Sequence, residues 1–354
     1  MKKMISAVLA LAMLAAIPWA GVHAAENESG EFSVMTFNVA GIPVLGDFQG
    51  TQREVRGNAR MAKIGEVLTN ESGCDIIGTQ EDFNHHAALA GAMLQAYPYQ
   101  TQTSGGVPLG DGLSVFSRYP VYNVAHTQWN QSYGVLSSGT DRLARKGILA
   151  CVVEIGEGVY IDLYVLHADA ANDEQSARAR ADNYRQLADM IRTREQQRAV
   201  IVMGDFNSTF DRIGTEDLYA NRVGPAGLKD CWAEIYNNGD CSYDGGTGWH
   251  PSFYETYDKI MFKSGGGVEL SAQSFGYFRA EDGNGKMYSD HDAARARLRY
   301  EITGETSAPG TLQTEEPLDR TQRLFDEMAA VVKTLLLIAV SWGELLNVLR
   351  DIVF

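Results

Sequence analysis

Six short fragments of the sequence carry acidic, amide or imidazole side chains, and each adjoins a run of apolar residues. They are, in chain order, Thr36-Phe37-Asn38-Val39, Thr79-Gln80-Glu81, Leu166-His167-Ala168-Asp169-Ala170, Gly204-Asp205-Phe206-Asn207, Tyr257-Asp258-Lys259-Ile260 and Ser289-Asp290-His291. Carboxylate oxygens suit Mg²⁺, and a histidine beside an aspartate can accept a proton near neutral pH. The set therefore predicts metal-assisted hydrolysis with a general base.

Each fragment alone has an ordinary structural explanation. An Asp at the end of a strand commonly forms a turn or caps a helix, and a lone His beside an acid is commonly a surface pair. Six such fragments, each joined to an apolar run, favour one shared site over six separate turns.

The elements that must position these residues are mostly strands. Runs rich in Val, Ile and aromatic residues predict strands at Phe32–Val39, Asp75–Thr79, Leu113–Ser117, Gly147–Ile155, Tyr160–His167, Ala199–Gly204 and Tyr257–Phe262. Apolar residues at helical spacing predict helices at Asn58–Thr69 and Ser176–Arg194. Strands that end at one edge of a sheet can gather their terminal side chains into one pocket.

At these fragments, and in this order, the sequence resembles the endonuclease/exonuclease/phosphatase superfamily. That superfamily includes deoxyribonuclease I, abasic-site endonucleases, inositol polyphosphate 5-phosphatases and sphingomyelinases. The resemblance covers nearly all of residues 32–300. It implies an α/β (α+β) fold, a four-layered sandwich of two packed mixed β-sheets flanked by helices.

The resemblance also implies a role for each matching residue. It gives Glu81 and Asp290 as metal ligands, His291, Asp258, Asp205, Asn207 and His167 as catalytic residues, and Asn38 and Lys146 as phosphate-binding residues. His291 would be the general base, oriented by Asp258, and His167 would hydrogen-bond the phosphate. The implied cofactor is Mg²⁺, with Mn²⁺ or another divalent cation as the alternative.

Both ends of the chain differ from the middle. Residues 1–24 have the charge, apolar run and Val22-His23-Ala24 ending of a secretory signal, which predicts a secreted or extracytoplasmic protein. We expect a catalytic domain over 25–302, a linker over 303–317 and an amphipathic helical tail over 318–354. The ten-residue apolar run of the tail is too short to span a bilayer. The tail could pack on protein or lie at a lipid surface.

The substrate is harder to infer than the reaction. Lys146-Gly147 opens the strand before the His167 fragment, and at this place it resembles the bacterial and neutral sphingomyelinase branch. The net charge of −15 disfavours a polyanionic partner, because nucleic-acid binding is dominated by phosphate neutralisation. These features favour a lipid-headgroup phosphodiester and a sphingomyelinase or phospholipase C-like activity, with no protein partner expected.

Three other functions stay open. A secreted deoxyribonuclease I-like endonuclease would need basic residues along its groove, for example Arg53, Arg56, Arg60, Arg142 and Arg145. A phosphoinositide or other phosphomonoesterase could use the same scaffold, and a non-catalytic binding module is disfavoured by the intact acid and base set.

Two further local features have simple interpretations. Cys231 and Cys241 flank a short polar segment, which suits a loop disulfide in an exported protein, whereas Cys74 and Cys151 are expected as buried thiols. His85 and His86 are expected at an exposed helix start rather than as metal ligands.

Overall fold

A computed structural model describes residues 29–41, 57–83, 85–104, 110–134, 146–171, 173–194, 197–208, 224, 226–241 and 257–309. The predicted secretory signal, the tail and the linker beyond Pro309 lie outside these residues, as do Arg53, Arg56, Arg142 and Arg145. No helix within the described ranges has the length and apolar character needed to cross a membrane.

The helices and strands alternate irregularly along the chain, with strands predominating. The strands are β1 Ser29–Asn38, β2 Ile76–Gln80, β3 Tyr99–Gln100, β4 Ser114–Ser117, β5 Val121–Gln128, β6 Gly147–Gly156, β7 Val159–His167, β8 Ala199–Asp205, β9 Lys229–Asp230, β10 Asp258–Lys263, β11 Val268–Phe278 and β12 Ala293–Ile302. The helices are α1 Gly57–Glu71, α2 His86–Met93, α3 Glu174–Thr193 and α4 Cys231–Tyr236.

The strands form two six-stranded sheets. Sheet A has the order β11-β12-β1-β2-β4-β3, and sheet B has the order β5-β6-β7-β8-β10-β9. β1 pairs in parallel with β2, and β7 pairs in parallel with β8, whereas the other neighbours are antiparallel. Both sheets are therefore mixed, as the predicted fold requires.

The two sheets pack face to face through an apolar core. Val34 and Ile76 of sheet A share this core with Val165 and Met203 of sheet B. The approach is close at Gly78 of β2, where a Cβ atom would lie 2.7 Å from side-chain carbons of both sheet B residues. A glycine at this position lets the central strands of the two sheets approach each other.

Helices cover the outer faces and complete the four layers. Met61, Ile64 and Leu68 of α1 pack in a second core with Met35 and Phe37, the residues of β1 that alternate away from sheet B. On the other side, α3 buries its apolar stripe, which includes Tyr184, Leu187 and Ile191, in the core of sheet B. The helical spacing seen in the sequence thus marks the buried face of each helix.

The start of the predicted linker contacts the domain. The Thr303 amide donates to Gly267 O at 2.9 Å, and the Thr306 hydroxyl donates to Gly158 O at 2.8 Å. Arg198 Nη1 donates to Ser307 O at 3.5 Å. These contacts lie at the end of the sandwich where β12 finishes, opposite the end where His291 precedes it.

All seven predicted strands and both predicted helices are present, with boundaries within about three residues. The unpredicted β12 has alternating Ala or Leu and Arg residues, because only one of its faces is buried. All four cysteines are free thiols, so the disulfide expected between Cys231 and Cys241 is not observed. Cys231 instead begins α4 with its side chain inside the core.

Candidate active site

Strand register brings three predicted catalytic side chains together at one end of sheet B. His167, the last residue of β7, is level with Asp205 at the end of β8, and Asp205 is level with Asp258 at the start of β10. Residues level on neighbouring strands point to the same face of a sheet. All three side chains are almost fully buried.

Sheet A contributes the opposite wall of this site. The Asn38 side chain, at the end of β1, donates to Glu81 Oε1 at 3.2 Å and to Asp205 Oδ2 at 3.1 Å. Its own Oδ1 accepts a hydrogen bond from the Ala40 amide at 3.0 Å. Asn38 therefore connects the predicted metal ligand to the aspartate at the centre of sheet B.

His291 and Asp258 form the predicted base and orienting pair. His291 Nδ1 lies 2.6 Å from Asp258 Oδ2, while His291 Nε2 lies 3.9 Å from Asp205 Oδ2, beyond hydrogen-bonding distance. The His291 side chain is 17% exposed and Asp258 is 1% exposed, so the ring can be approached from solvent while its partner cannot. Because Nδ1 contacts Asp258, Nε2 is the nitrogen left to accept a proton, and it is directed toward Asp205.

Asp205 is the acceptor at the centre of the site. Its Oδ1 accepts the Asn207 amide at 2.8 Å, and its Oδ2 lies 3.4 Å from His167 Nε2. Burial alone would raise the pKa of the Asp205 carboxyl. The charges of His167, His291 and Lys146, with the hydrogen bond from His167, outweigh burial and hold this pKa well below its usual range. Asp205 is therefore an anion at neutral pH.

Burial and neighbouring charges have opposite effects on the pKa values of His291 and Asp258. Burial raises the pKa of Asp258 to about 6, and the nearby Asp205 charge adds to this, although His291 opposes it. Burial would lower the pKa of His291, but Asp258, Asp205 and Asp290 together raise it well above its usual value. The pair therefore retains a proton to a higher pH than an isolated imidazole does.

Backbone conformation fixes the Gly204-Asp205-Phe206-Asn207 fragment. A Cβ atom at Gly204 would lie 2.1 Å from Leu166 O on the neighbouring parallel strand, so only glycine fits. Asn207 has a left-handed φ of +50°, and its Nδ2 donates to Ala168 O at 3.1 Å. The amide of Asn207 is thereby directed across the end of β7, toward the His167 fragment.

Lys146 is buried beside the site rather than on the surface. Its Nζ donates to Ala168 O at 3.3 Å, one residue after His167, and its charge helps to lower the pKa of Asp205. The structure therefore brings the lysine near the site, while its contact with phosphate stays a prediction. Direct phosphate contact by His167 also stays a prediction, because its Nε2 faces Asp205 and its ring is 1% exposed.

The donor set suits a hard divalent cation with few protein ligands. Glu81 is partly buried and Asp290 is exposed, and both charges act on the guanidinium of Arg60. Among the described residues, no group of three or more His, Cys, Asp or Glu side chains could hold a metal ion. The two predicted ligands, Glu81 and Asp290, are carboxylates, which suit Mg²⁺ because it keeps several waters and uses one or two protein carboxylates.

Two residues that support the site were not assigned from the sequence. Ser289 Oγ donates to Asn38 O at 2.6 Å and accepts the His291 amide at 3.2 Å. Arg60 donates to the carbonyls of Val39, Ala40 and Tyr288 at 3.0, 2.6 and 2.5 Å. Both residues join the end of β1 to the loop that carries His291. In the sequence, the position of Ser289 two residues before His291 could have indicated its supporting role. No sequence pattern indicated that Arg60 would bond backbone carbonyls.

The histidines after Glu81 do not join the site. His85 Nδ1 bonds Asn58 Oδ1 at 2.8 Å, and His86 begins α2. The expectation that both are exposed is wrong: His85 is half-buried, and His86 is buried with its Nδ1 2.6 Å from Asp82 Oδ2. A buried carboxylate partner explains why this histidine faces inward.

Comparisons with known proteins give close agreement on the fold and family. A profile of the Endonuclease/Exonuclease/phosphatase family matches residues 35–291, a span that includes every candidate site residue. Sphingomyelinases of Mycobacterium bovis and Mycobacterium tuberculosis are 28% identical over 290 residues, which cover 77% of this chain and 53% of each relative. The chain therefore spans about half the length of the curated relatives that it matches.

Solved structures share the same architecture at low sequence identity. D. rerio TDP2 complexed with a single-strand DNA product has a TM-score of 0.54 and 14% identity, covering 76% of this chain and 99% of that one. A Staphylococcus aureus beta toxin has a TM-score of 0.51 and 14% identity, covering 75% and 99%. These likenesses establish the fold. With the family match over most of its length, the chain belongs to the Endonuclease/Exonuclease/phosphatase family.

Proposed function

We propose that the chain is a secreted, divalent-metal-dependent phosphodiesterase that hydrolyses sphingomyelin or a related phospholipid in the manner of a phospholipase C. The observation that carries the reaction is the His291–Asp258 pair, which lies beside Asp205 and faces the Asn38–Glu81 wall. The mycobacterial sphingomyelinases support the choice of substrate.

Glu81 and Asp290 would hold the cation, with Asn38 between Glu81 and Asp205. When bound, Mg²⁺ would supply positive charge that polarises the phosphoryl group and stabilises the charge that develops on its oxygens. This assignment agrees with the oxygen-only character of the donor set.

The protein's own groups account for the proton transfer. A water molecule attacks phosphorus and gives its proton to Nε2 of neutral His291, whose Nδ1–H is held by Asp258. This neutral form would be favoured by a bound cation, because the charge of the cation offsets the carboxylates that raise the pKa of His291. The bond between phosphorus and the oxygen of the lipid alcohol breaks. The leaving alkoxide takes up a proton from solvent, and His291 releases the proton that it accepted to complete the cycle. For sphingomyelin the products are ceramide and phosphocholine.

The ionised Asp205 has a positioning role in this scheme. It holds Asn38 and His167 from two different sheets and lies close to the protonated form of His291. A carboxylate there stabilises the imidazolium that forms as water loses its proton. Lys146 adds a cation that can offset the negative charge of the substrate.

The nuclease alternative gains no support from Arg60. Its guanidinium donates to three backbone carbonyls, so its role is structural within the described residues. The phosphomonoesterase alternative shares the same reacting groups and differs only in substrate.

A substrate panel tests the proposal. Purified protein with Mg²⁺ is assayed on choline-labelled sphingomyelin vesicles, a soluble phosphodiester, DNA and an inositol phosphate, with Glu81→Gln and His291→Ala as matched inactive variants. We expect choline-containing product from sphingomyelin, lost by orders of magnitude in both variants. Cleavage of the soluble phosphodiester without release from sphingomyelin would exclude the lipid substrate. Activity that survives in the variants would contradict the assigned chemistry.

Association of the tail with a lipid surface is a further part of the proposal. The same panel should compare the full chain with a chain ended after Pro309, because Thr303, Thr306 and Ser307 contact the domain and should be kept. If the tail binds lipid, the shortened chain should be less active than the full chain on vesicles. Both chains should be equally active on the soluble substrate.

A further inference from the structure

A chain of buried polar side chains lies directly behind Glu81. Asp82, the next residue, is fully buried, and its Oδ2 accepts Ser114 Oγ at 2.6 Å and lies 2.6 Å from His86 Nδ1. Ser114 in turn bonds Thr79 Oγ1 at 2.7 Å. Because the Ser114 hydroxyl donates to Asp82, Thr79 is the donor to Ser114. The Asp82 carboxylate therefore contacts Ser114 of β4 and His86 of α2 directly, and it is linked to Thr79 of β2 through Ser114.

Glu81 itself has a strained backbone. Its φ of +59° lies in the left-handed region, which a non-glycine residue keeps only when the surrounding structure imposes it. Its carbonyl also approaches Gly41 so closely that a Cβ there would lie 2.1 Å from it. Something in the fold must therefore hold this residue.

Hydrogen bonds hold the residues on both sides of Glu81. Before it, the Gln80 and Thr36 side chains bond each other at 3.0 and 3.2 Å. After it, the Asp82 amide donates to Gly112 O at 3.0 Å, in addition to the contacts of the carboxylate. Glu81 is thus a strained residue between two anchored neighbours. Both neighbours are fully buried, but the Asp82 side chain contacts two residues, whereas within the described ranges the Gln80 side chain bonds only Thr36.

We infer that Asp82 is a positioning residue, which holds Glu81 in its left-handed conformation so that the Glu81 carboxylate faces Asn38 and the cation. This inference rests on the proposed function, since it assumes that Glu81 binds the cation.

The test measures cation binding directly in the absence of substrate. The dissociation constant of Mn²⁺, used as the probe, is measured by electron paramagnetic resonance for the wild type, Asp82→Ala and Ser114→Ala, alongside the melting temperature. Loss of a group that orients a metal ligand commonly weakens binding by about 10- to 100-fold. We expect that range for Asp82→Ala and a smaller effect for Ser114→Ala, which removes one donor and keeps the carboxylate.

Asp75 offers a matched control at the other end of β2. Its Oδ2 accepts the Ser33 amide at 2.8 Å and the Ser33 hydroxyl at 2.6 Å, so Asp75→Ala also removes a carboxylate that holds β1 to β2. We expect Asp75→Ala to lower the melting temperature with no change in Mn²⁺ binding. Equal effects of Asp75→Ala and Asp82→Ala on binding would overturn the inference, as would unchanged binding in both Asp82→Ala and Ser114→Ala.

The metal site at Glu81 and the positioning role of Asp82 are tested by separate outcomes. If Asp82→Ala does not fold, Ser114→Ala decides the question against the Asp75→Ala control. If Glu81→Gln binds Mn²⁺ as tightly as the wild type does, the proposed metal site is wrong and the inference falls with it. If only Glu81→Gln weakens binding, the metal site stands and Asp82 is an ordinary structural residue.

Discussion

Replacing Asp258 with Asn should lower the pKa of His291. The substitution keeps the shape of the side chain and removes the negative charge that lies 2.6 Å from His291 Nδ1. Charges about 4 Å apart at an effective dielectric constant of about 20 interact by about 4 kcal/mol, or about 3 pKa units. Asp205 and Asp290 also raise this pKa and remain in place. We therefore expect a fall of about 2–3 units.

The direction of the pKa shift follows from the form of His291 that the Asp258 charge stabilises. Asp258 favours the imidazolium, so its removal makes His291 lose its proton at lower pH. Catalysis should nevertheless fall by about 10²–10⁴, because the orientation and basicity of a positioned base are lost. An amide at position 258 can also donate to Nδ1, which would place the imidazole proton on Nε2, where it blocks acceptance from water.

Nuclear magnetic resonance of the imidazole nitrogens can measure this pKa in the metal-free protein, with His291→Ala identifying the signal. Asp111→Asn is the matched control, because Asp111 bonds a different histidine, His126, at 2.5 Å. An unchanged or raised pKa of His291 in Asp258→Asn would refute the electrostatic reasoning. A shift of the same size in Asp111→Asn would refute its assignment to this pair.

Two more substitutions test the geometry around the site. Gly204→Ala places a Cβ 2.1 Å from Leu166 O and should destabilise the fold by about 1–3 kcal/mol, measured by thermal unfolding. Gly276→Ala is the control, because a Cβ at that position meets open space and should have little effect. Equal melting temperatures of the two variants would contradict the close approach at Gly204. Lys146→Met should lower kcat/KM by about 10- to 100-fold, because a charged hydrogen-bond donor is lost. Lys63 is exposed, so Lys63→Met should leave kcat/KM unchanged. Equal kcat/KM values for the two variants would contradict a role for Lys146 in the site.

The sequence predicted the fold well wherever an element had a strong local signal. β7 and β8 are continuous apolar runs, as expected for parallel strands buried on both faces, and both were identified. The polar residues at their ends, His167 and Asp205, could be placed near each other because neighbouring strands share an edge. Elements with a weaker signal, such as the two-residue β3 and β9, were missed.

The contacts that support the site were not predictable from local pattern. Arg60 was considered as a groove cation, yet it bonds carbonyls of the two residues that follow β1 and of the loop before His291. Asp82 and Ser114 are 32 residues apart, and their hydrogen bond depends on the pairing of β2 with β4. Such roles follow from tertiary placement, which a single sequence does not encode in any local spacing.

The exit point of the chain constrains how a tail could serve a surface enzyme. Ten-residue β12 separates the His291 end of the sandwich from the Thr303 end, a distance of about 33 Å at about 3.3 Å per residue. The eight residues 310–317 can span about 27 Å when fully extended. If the predicted tail binds lipid, we therefore expect linker length to govern how the site meets a bilayer. Lengthening residues 310–317 should change activity on vesicles and leave activity on a soluble phosphodiester unchanged, and equal activity on vesicles would contradict this expectation.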